Sequence, residues 1–158
     1  MKIFQLVPSL VHGDAVSNHV LAIAAVLNER GYINGIVIPG IIKKNSVKIP
    51  KPSGTGRKHL TKTGVFCLKK FKPQKDDVLI YHMAIGSELT EFVISADVRK
   101  KIMIYHNITP EHFFQNMPEL YARCKEGRQQ LERLVEHIDF SICDSEYNEM
   151  ELLSFFKK

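Results

Sequence analysis

Short apolar runs alternate along this chain with longer stretches in which apolar residues recur every three or four positions. The runs Ile3 to Val7, Ile33 to Ile38, Val65 to Leu68, Val78 to Tyr81, Ile102 to Tyr105 and Phe140 to Cys143 have strand length. Between the first two, Val16, Val20, Leu21, Ala24 and Leu27 share one helical face, and Gly31 stands where that helix would stop. Ile85, Leu89, Phe92 and Val93 mark a second helix. Pro110 opens a further helical region, which Pro118 interrupts before a longer helix carrying Leu120, Cys124, Leu131, Leu134 and Val135. Ser145 is placed to cap a last helix containing Met150, Leu153 and Phe156. Strand and helix in alternation predict an α/β domain: a Rossmann-like open, mostly parallel sheet with helices on both faces.

At 158 residues the chain suits one domain, spanning 1–158, with no linker and no repeat. Charge changes the picture. The net charge is +5, yet eleven Lys and Arg fall in the acid-free segment 43–75, so the remainder carries −6. That segment also holds Pro50, Pro52, Gly54, Gly56 and Gly64, and reads as a basic excursion from the sheet toward an anionic partner. No nucleic-acid motif accompanies it. Cys67, Cys124 and Cys143 are odd in number and form no C-x-x-C pair, which excludes a disulfide framework and a thiolate zinc site and suggests a reducing, cytoplasmic setting. No run approaches the roughly 20 apolar residues of a spanning helix, and no export signal precedes the first strand.

Four strands run into polar residues: the first into His12, Gly13 and Asp14, the fourth into His82, the fifth into His106 and Asn107, and the sixth into Asp144 and Ser145. Such positions either turn the chain into water or line the carboxyl edge of the sheet, where α/β proteins bind ligands. His82 and His106 share the context Ile-Tyr-His, which suggests two imidazoles at corresponding heights on neighbouring strands. The turn at Gly13 leads into a helix N-terminus suited to phosphate, or Gly13 only permits a tight turn and Asp14 caps the helix near Ser17. Neither G-x-G-x-x-G nor a P-loop is present. His12, Asp14 and His19 are near in sequence, and His106 and His112 lie six apart, but neither set has a known ligand spacing, so no metal is expected. Ser145 lacks a nucleophile elbow, and no paired carboxylates for glycoside hydrolysis stand out.

The ordered set Pro8 with Gly13-Asp14-Ala15-Val16-Ser17-Asn18, Ile80-Tyr81-His82, Tyr105-His106-Asn107-Ile108-Thr109-Pro110, Gly127-Arg128-Gln129-Gln130-Leu131 and Asp144-Ser145-Glu146-Tyr147-Asn148 resembles the N-terminal half of glycosyltransferase family four. The resemblance covers nearly the whole chain. It implies the N-terminal half of a GT-B fold, in which two Rossmann-like domains face one another and transfer a sugar from a nucleotide donor with retention. It further implies His106 as the catalytic residue beside the transferred sugar, Gly13 and Asp14 toward the donor diphosphate, and His82, Asn107 and Thr109 toward the acceptor. Family members often carry two consecutive glycines in the first turn, and Asp14 takes the second place here.

The implied function is the acceptor-side domain of a retaining, metal-independent enzyme that moves a sugar from a nucleotide-sugar to a glycan or lipid-linked acceptor. No cofactor is expected beyond the donor substrate. The donor-binding C-terminal domain has no counterpart in these residues, so the isolated chain is expected to be inactive. By the same resemblance, segment 43–75 would touch an anionic membrane surface, giving a peripheral location at the inner face. Two alternatives stay open: a non-catalytic acceptor-binding subunit that needs a separate donor domain, and a small flavodoxin-like nucleotide or phosphate binder.

Overall fold

The computed structural model describes residues 1–40 and 63–156. Six strands, β1 (Ile3–Leu6), β2 (Asn34–Ile38), β3 (Gly64–Cys67), β4 (Val78–Met83), β5 (Lys100–Tyr105) and β6 (Phe140–Cys143), form one sheet in the order β3-β2-β1-β4-β5-β6. Every pairing is parallel. This is the doubly wound Rossmann order, which reverses between β1 and β4, and not the flavodoxin-like one. Four helices complete the described fold: α1 (Ala15–Glu29), α2 (Leu89–Ser95), α3 (Pro118–Leu134) and α4 (Glu146–Phe155). None is long and apolar enough to cross a membrane.

Strand alternation divides the core in two. Phe4, Leu6, Val37, Leu79, Tyr81, Met83, Met103 and Tyr105 face α2, α3 and α4, where they meet Leu89, Val93, Cys124, Leu131, Leu134 and Leu152. On the opposite face Val7, Ile36 and Ile38 pack with Val20, Val16 and Leu21 of α1. Helices therefore lie on both faces, as the periodicity predicts.

The local signals act as read. Asp14 caps α1 by accepting the Ser17 N–H at 2.8 Å. Gly31, at φ +79°, ends it, with its own N–H donating to Asn28 O and that of Tyr32 to Leu27 O. Pro118 occupies the first turn of α3, where its missing N–H costs nothing. The region opened by Pro110 is a single 3₁₀ turn, Glu111–Phe114, and not a longer helix. The short run at Val65 forms the strand β3, paired along β2, so segment 43–75 is not an excursion throughout: residues 64–67 belong to the sheet. Most of the basic segment, 43–62, lies outside the described residues.

α3 approaches the loop after β4 at two glycines. A Cβ on Gly127 would stand 2.7 Å from Gly86 N, and one on Gly86 would stand 2.6 Å from Arg123 O. Beside this contact, the buried Gln130 Oε1 accepts from Ser87 N–H and the Thr90 hydroxyl, which in turn accepts from Tyr81. We expect Gly127→Ala to cost about 1–3 kcal/mol through overpacking, read as a lower urea midpoint at unchanged slope.

Candidate functional site

Gln5 interrupts the apolar run of β1 and is fully buried. It sits on the α1 side of the sheet, where Ile80 and His82 of β4, Ile104 of β5 and His106 just past the end of β5 also lie. His82 is not at a strand end: it lies within β4 and is buried. Nor are the two histidines level, because His82 pairs with Ile104, which places His106 one pleat farther along. Sharing a face, the rings still stack, with centroids 5.2 Å apart and planes 12° from parallel.

A chain of hydrogen bonds runs across three strands and ends beyond a fourth. Gln5 Nε2 donates to Val20 O at 3.0 Å, which orients the amide and turns Oε1 toward His82 Nε2, also at 3.0 Å. His82 Nδ1 faces His106 Nε2 at 2.9 Å. His106 Nδ1 then meets Asp144 Oδ2 at 2.6 Å. The His106 side chain is only 5% exposed, whereas that of Asp144 is 40% exposed, so the chain leads from the core to solvent. His19 of α1 closes the cluster, with its ring edge-on to both His82 and His106 at 5.9 and 5.4 Å.

Both ends of this chain, Gln5 Oε1 and the Asp144 carboxylate, are acceptors. Three links need three protons, and two neutral imidazoles supply two. One further positive charge must therefore be shared within the chain, or one link is left between two lone pairs. Burial holds His82 down to about 3, with His106 and His19 adding to the effect, so His82 is neutral near pH 7. Burial also lowers His106, against the pull of Asp144. The cluster is thus short of charge where it is least solvated.

The other expected site residues separate into two groups. Asn107 is the one non-glycine residue with positive φ among those described, at +71°. Its Nδ2 donates to Asn148 Oδ1 at 3.2 Å, while its Oδ1 is buried with no partner among the described residues. Thr109 is exposed next to it. Arg128 ties this loop down, donating to Ile108 O and to Glu151, which also accepts from Tyr105. Gly13, at φ +83°, is exposed, and the space a Cβ would enter is open. Asp14 is spent on the helix: its Oδ2 accepts from both the N–H and the hydroxyl of Ser17, whose Oγ accepts from Val11 N–H. A carboxylate already complements the positive end of α1, which works against phosphate at that position.

His12 and His112 are exposed, and each falls outside the cluster into which His19 and His106 enter. Gln5 escaped the sequence reading, although one polar residue inside an apolar strand run is the signal that could have found it. Lys70 and Lys72 line a separate groove of about 390 Å³ with Lys2, Ile33 and Asn34, at the amino edge of the sheet and away from the histidines.

Unfolded histidine takes up its proton near pH 6.5, but folded His82 does so near 3, so the unfolded chain binds the proton first as pH falls. Stability should be level above about pH 7 and drop by about 2 kcal/mol from His82 alone between pH 7 and pH 5. Urea denaturation at the two values checks this, and His82→Gln should flatten the dependence.

No protein-family model matches this chain, and neither the curated proteins nor the solved structures contain a match.

Proposed function

We propose that this chain is the acceptor-side domain of a retaining glycosyltransferase, moving a sugar from a nucleotide-sugar to a glycan or lipid-linked acceptor. The observation that carries the reading is that the resembling segments, far apart in sequence, bond to one another at the carboxyl edge of the sheet. His106 meets Asp144, Asn107 meets Asn148, and Arg128 holds Ile108. The strand-end members of these pairs follow β5 and β6, on the carboxyl edge of the sheet where open α/β folds bind ligands.

The geometry refines the roles. Both ring nitrogens of His106 are engaged, so it acts by fixing Asp144, whose exposed carboxylate is the group that meets a sugar hydroxyl. Asn107 offers an unpartnered acceptor, which is costly to bury unless a donor reaches it. His82 belongs to the supporting chain behind these groups, not to the ligand surface. Gly13, open and exposed, suits approach of a diphosphate better than Asp14. The capped end of α1 and the Rossmann strand order favour this reading over a flavodoxin-like phosphate binder.

Amide chemical-shift titration of the isolated chain with a panel of hexosides tests the proposal. Shifts should gather at His106, Asn107 and Thr109, weaken at least tenfold in Asn107→Ala, and occur without any turnover of nucleotide-sugar. Turnover by these 158 residues, or shifts confined to other surfaces, would overturn it.

The basic segment supplies a second contact, with an anionic membrane surface. Lys69, Lys70 and Lys72 are exposed, and at the amino edge Lys70 and Lys72 leave the histidine side free to work. Each engaged cation contributes about 1 kcal/mol near such a surface. The chain should sediment with anionic but not neutral vesicles at low salt, and less so after Lys69, Lys70 and Lys72 are changed to Gln.

A further inference from the structure

We propose that His19, His82 and His106 bind one divalent transition-metal ion of the zinc type. The proposal needs only the three imidazoles and does not depend on the glycosyltransferase reading. One ring nitrogen from each residue lies within 4.8 Å of the others, in a cluster of three histidines drawn from α1, β4 and the end of β5.

The hydrogen bonds around these rings have the arrangement a metal site requires. A ligating histidine usually donates its outer N–H to a fixed acceptor, which sets the tautomer and turns the other lone pair inward. His82 has Gln5 Oε1 in that place, oriented by Val20 O, and His106 has Asp144 Oδ2. With both outer nitrogens protonated, the inner lone pairs of His82 and His106 face each other at 2.9 Å. Two lone pairs repel at that distance, and a cation between them resolves the missing third proton. Tetrahedral zinc with metal–nitrogen bonds of about 2.0–2.1 Å needs nitrogens roughly 3.3 Å apart, so the His82–His106 pair has to open slightly and the widest gap has to close. His19 is half-buried on the first half of α1, and its ring already stands edge-on to both partners.

Three neutral nitrogens with no carboxylate among them favour zinc, cobalt, nickel or copper over magnesium and calcium. Three protein ligands leave a fourth position for water or a substrate oxygen, the pattern of catalytic and not of structural zinc. The bound ion would stand between α1 and the adjacent strands β4 and β5, with the His106 ring between it and Asp144.

The test is titration of the metal-stripped chain with Zn²⁺ by calorimetry and with Co²⁺ by visible absorption. One equivalent of each should bind, with cobalt bands of tetrahedral intensity, while Mg²⁺ and Ca²⁺ give no heat. His19→Ala, at a half-buried helix position that keeps the fold, should weaken binding at least tenfold, as should His106→Ala. Asp144→Asn should weaken it by about 10–100-fold through the outer bond. His12→Ala and His112→Ala, which alter exposed histidines outside the cluster, should leave it unchanged. Circular dichroism confirms folding of each variant. Absence of one-to-one Zn²⁺ and Co²⁺ binding in the parent, or binding that survives both His19→Ala and His106→Ala within twofold, overturns the proposal.

Discussion

A buried amide, two stacked imidazoles and a half-exposed carboxylate must share too few protons, and much of this molecule is arranged around that shortage. Gln5, His82 and His106 occupy the α1 side of three parallel strands, and Gln5 and His82 are fully buried there. A polar group there is tolerated only when bonded, and leaving one link open costs about 1–3 kcal/mol. Val20 O fixes the first member and Asp144 the last, so the direction of every intervening bond is constrained from both ends.

The sheet is what makes this possible. Reversal of strand order between β1 and β4 places Gln5 next to the strand of His82, and the β4–β5 pairing brings His106 within bonding distance. The opposite face supplies rigidity. Gly86 and Gly127 let α3 approach the loop after β4, Gln130 satisfies the polar groups of that loop, and Arg128 with Glu151 anchors the turn holding Asn107. Several polar residues near the strand ends thus serve to position other groups through hydrogen bonds. Asp14 is the clearest case, since its carboxylate is consumed by Ser17 and by the end of α1.

Chemistry at the site follows from the position of each group along the bonded chain. Deep members such as His82 stay neutral and hold geometry, while the outermost, Asp144, is the one solvent reaches. Asn107, with its positive φ and its unpartnered oxygen, adds local strain and an unused acceptor to the same rim. Strain of this kind persists only where surrounding contacts enforce it, and the bonds from Asn107 to Asn148 and from Arg128 to Ile108 do so here.

The sequence by itself determined the elements and the fold class. Six apolar runs, helical spacing of apolar residues, Asp14 and Gly31 at the ends of α1 and Pro118 at the start of α3 are local signals, because capping and periodicity act within a few residues. The helical region opened by Pro110 closes after one 3₁₀ turn because tertiary contacts override weak local preference there, whereas the run at Val65 forms the strand its pattern predicts. Which strands are neighbours, and in what register, depends on contacts between residues far apart in sequence. The repeated Ile-Tyr-His context therefore told correctly that the strands of His82 and His106 are neighbours, but the equal heights it suggested are offset by one pleat. Only the tertiary structure decided that His19 joins them and not His12, and that Gln5 orients the cluster. A helix face and three strand positions meet by packing, which no spacing along the chain encodes.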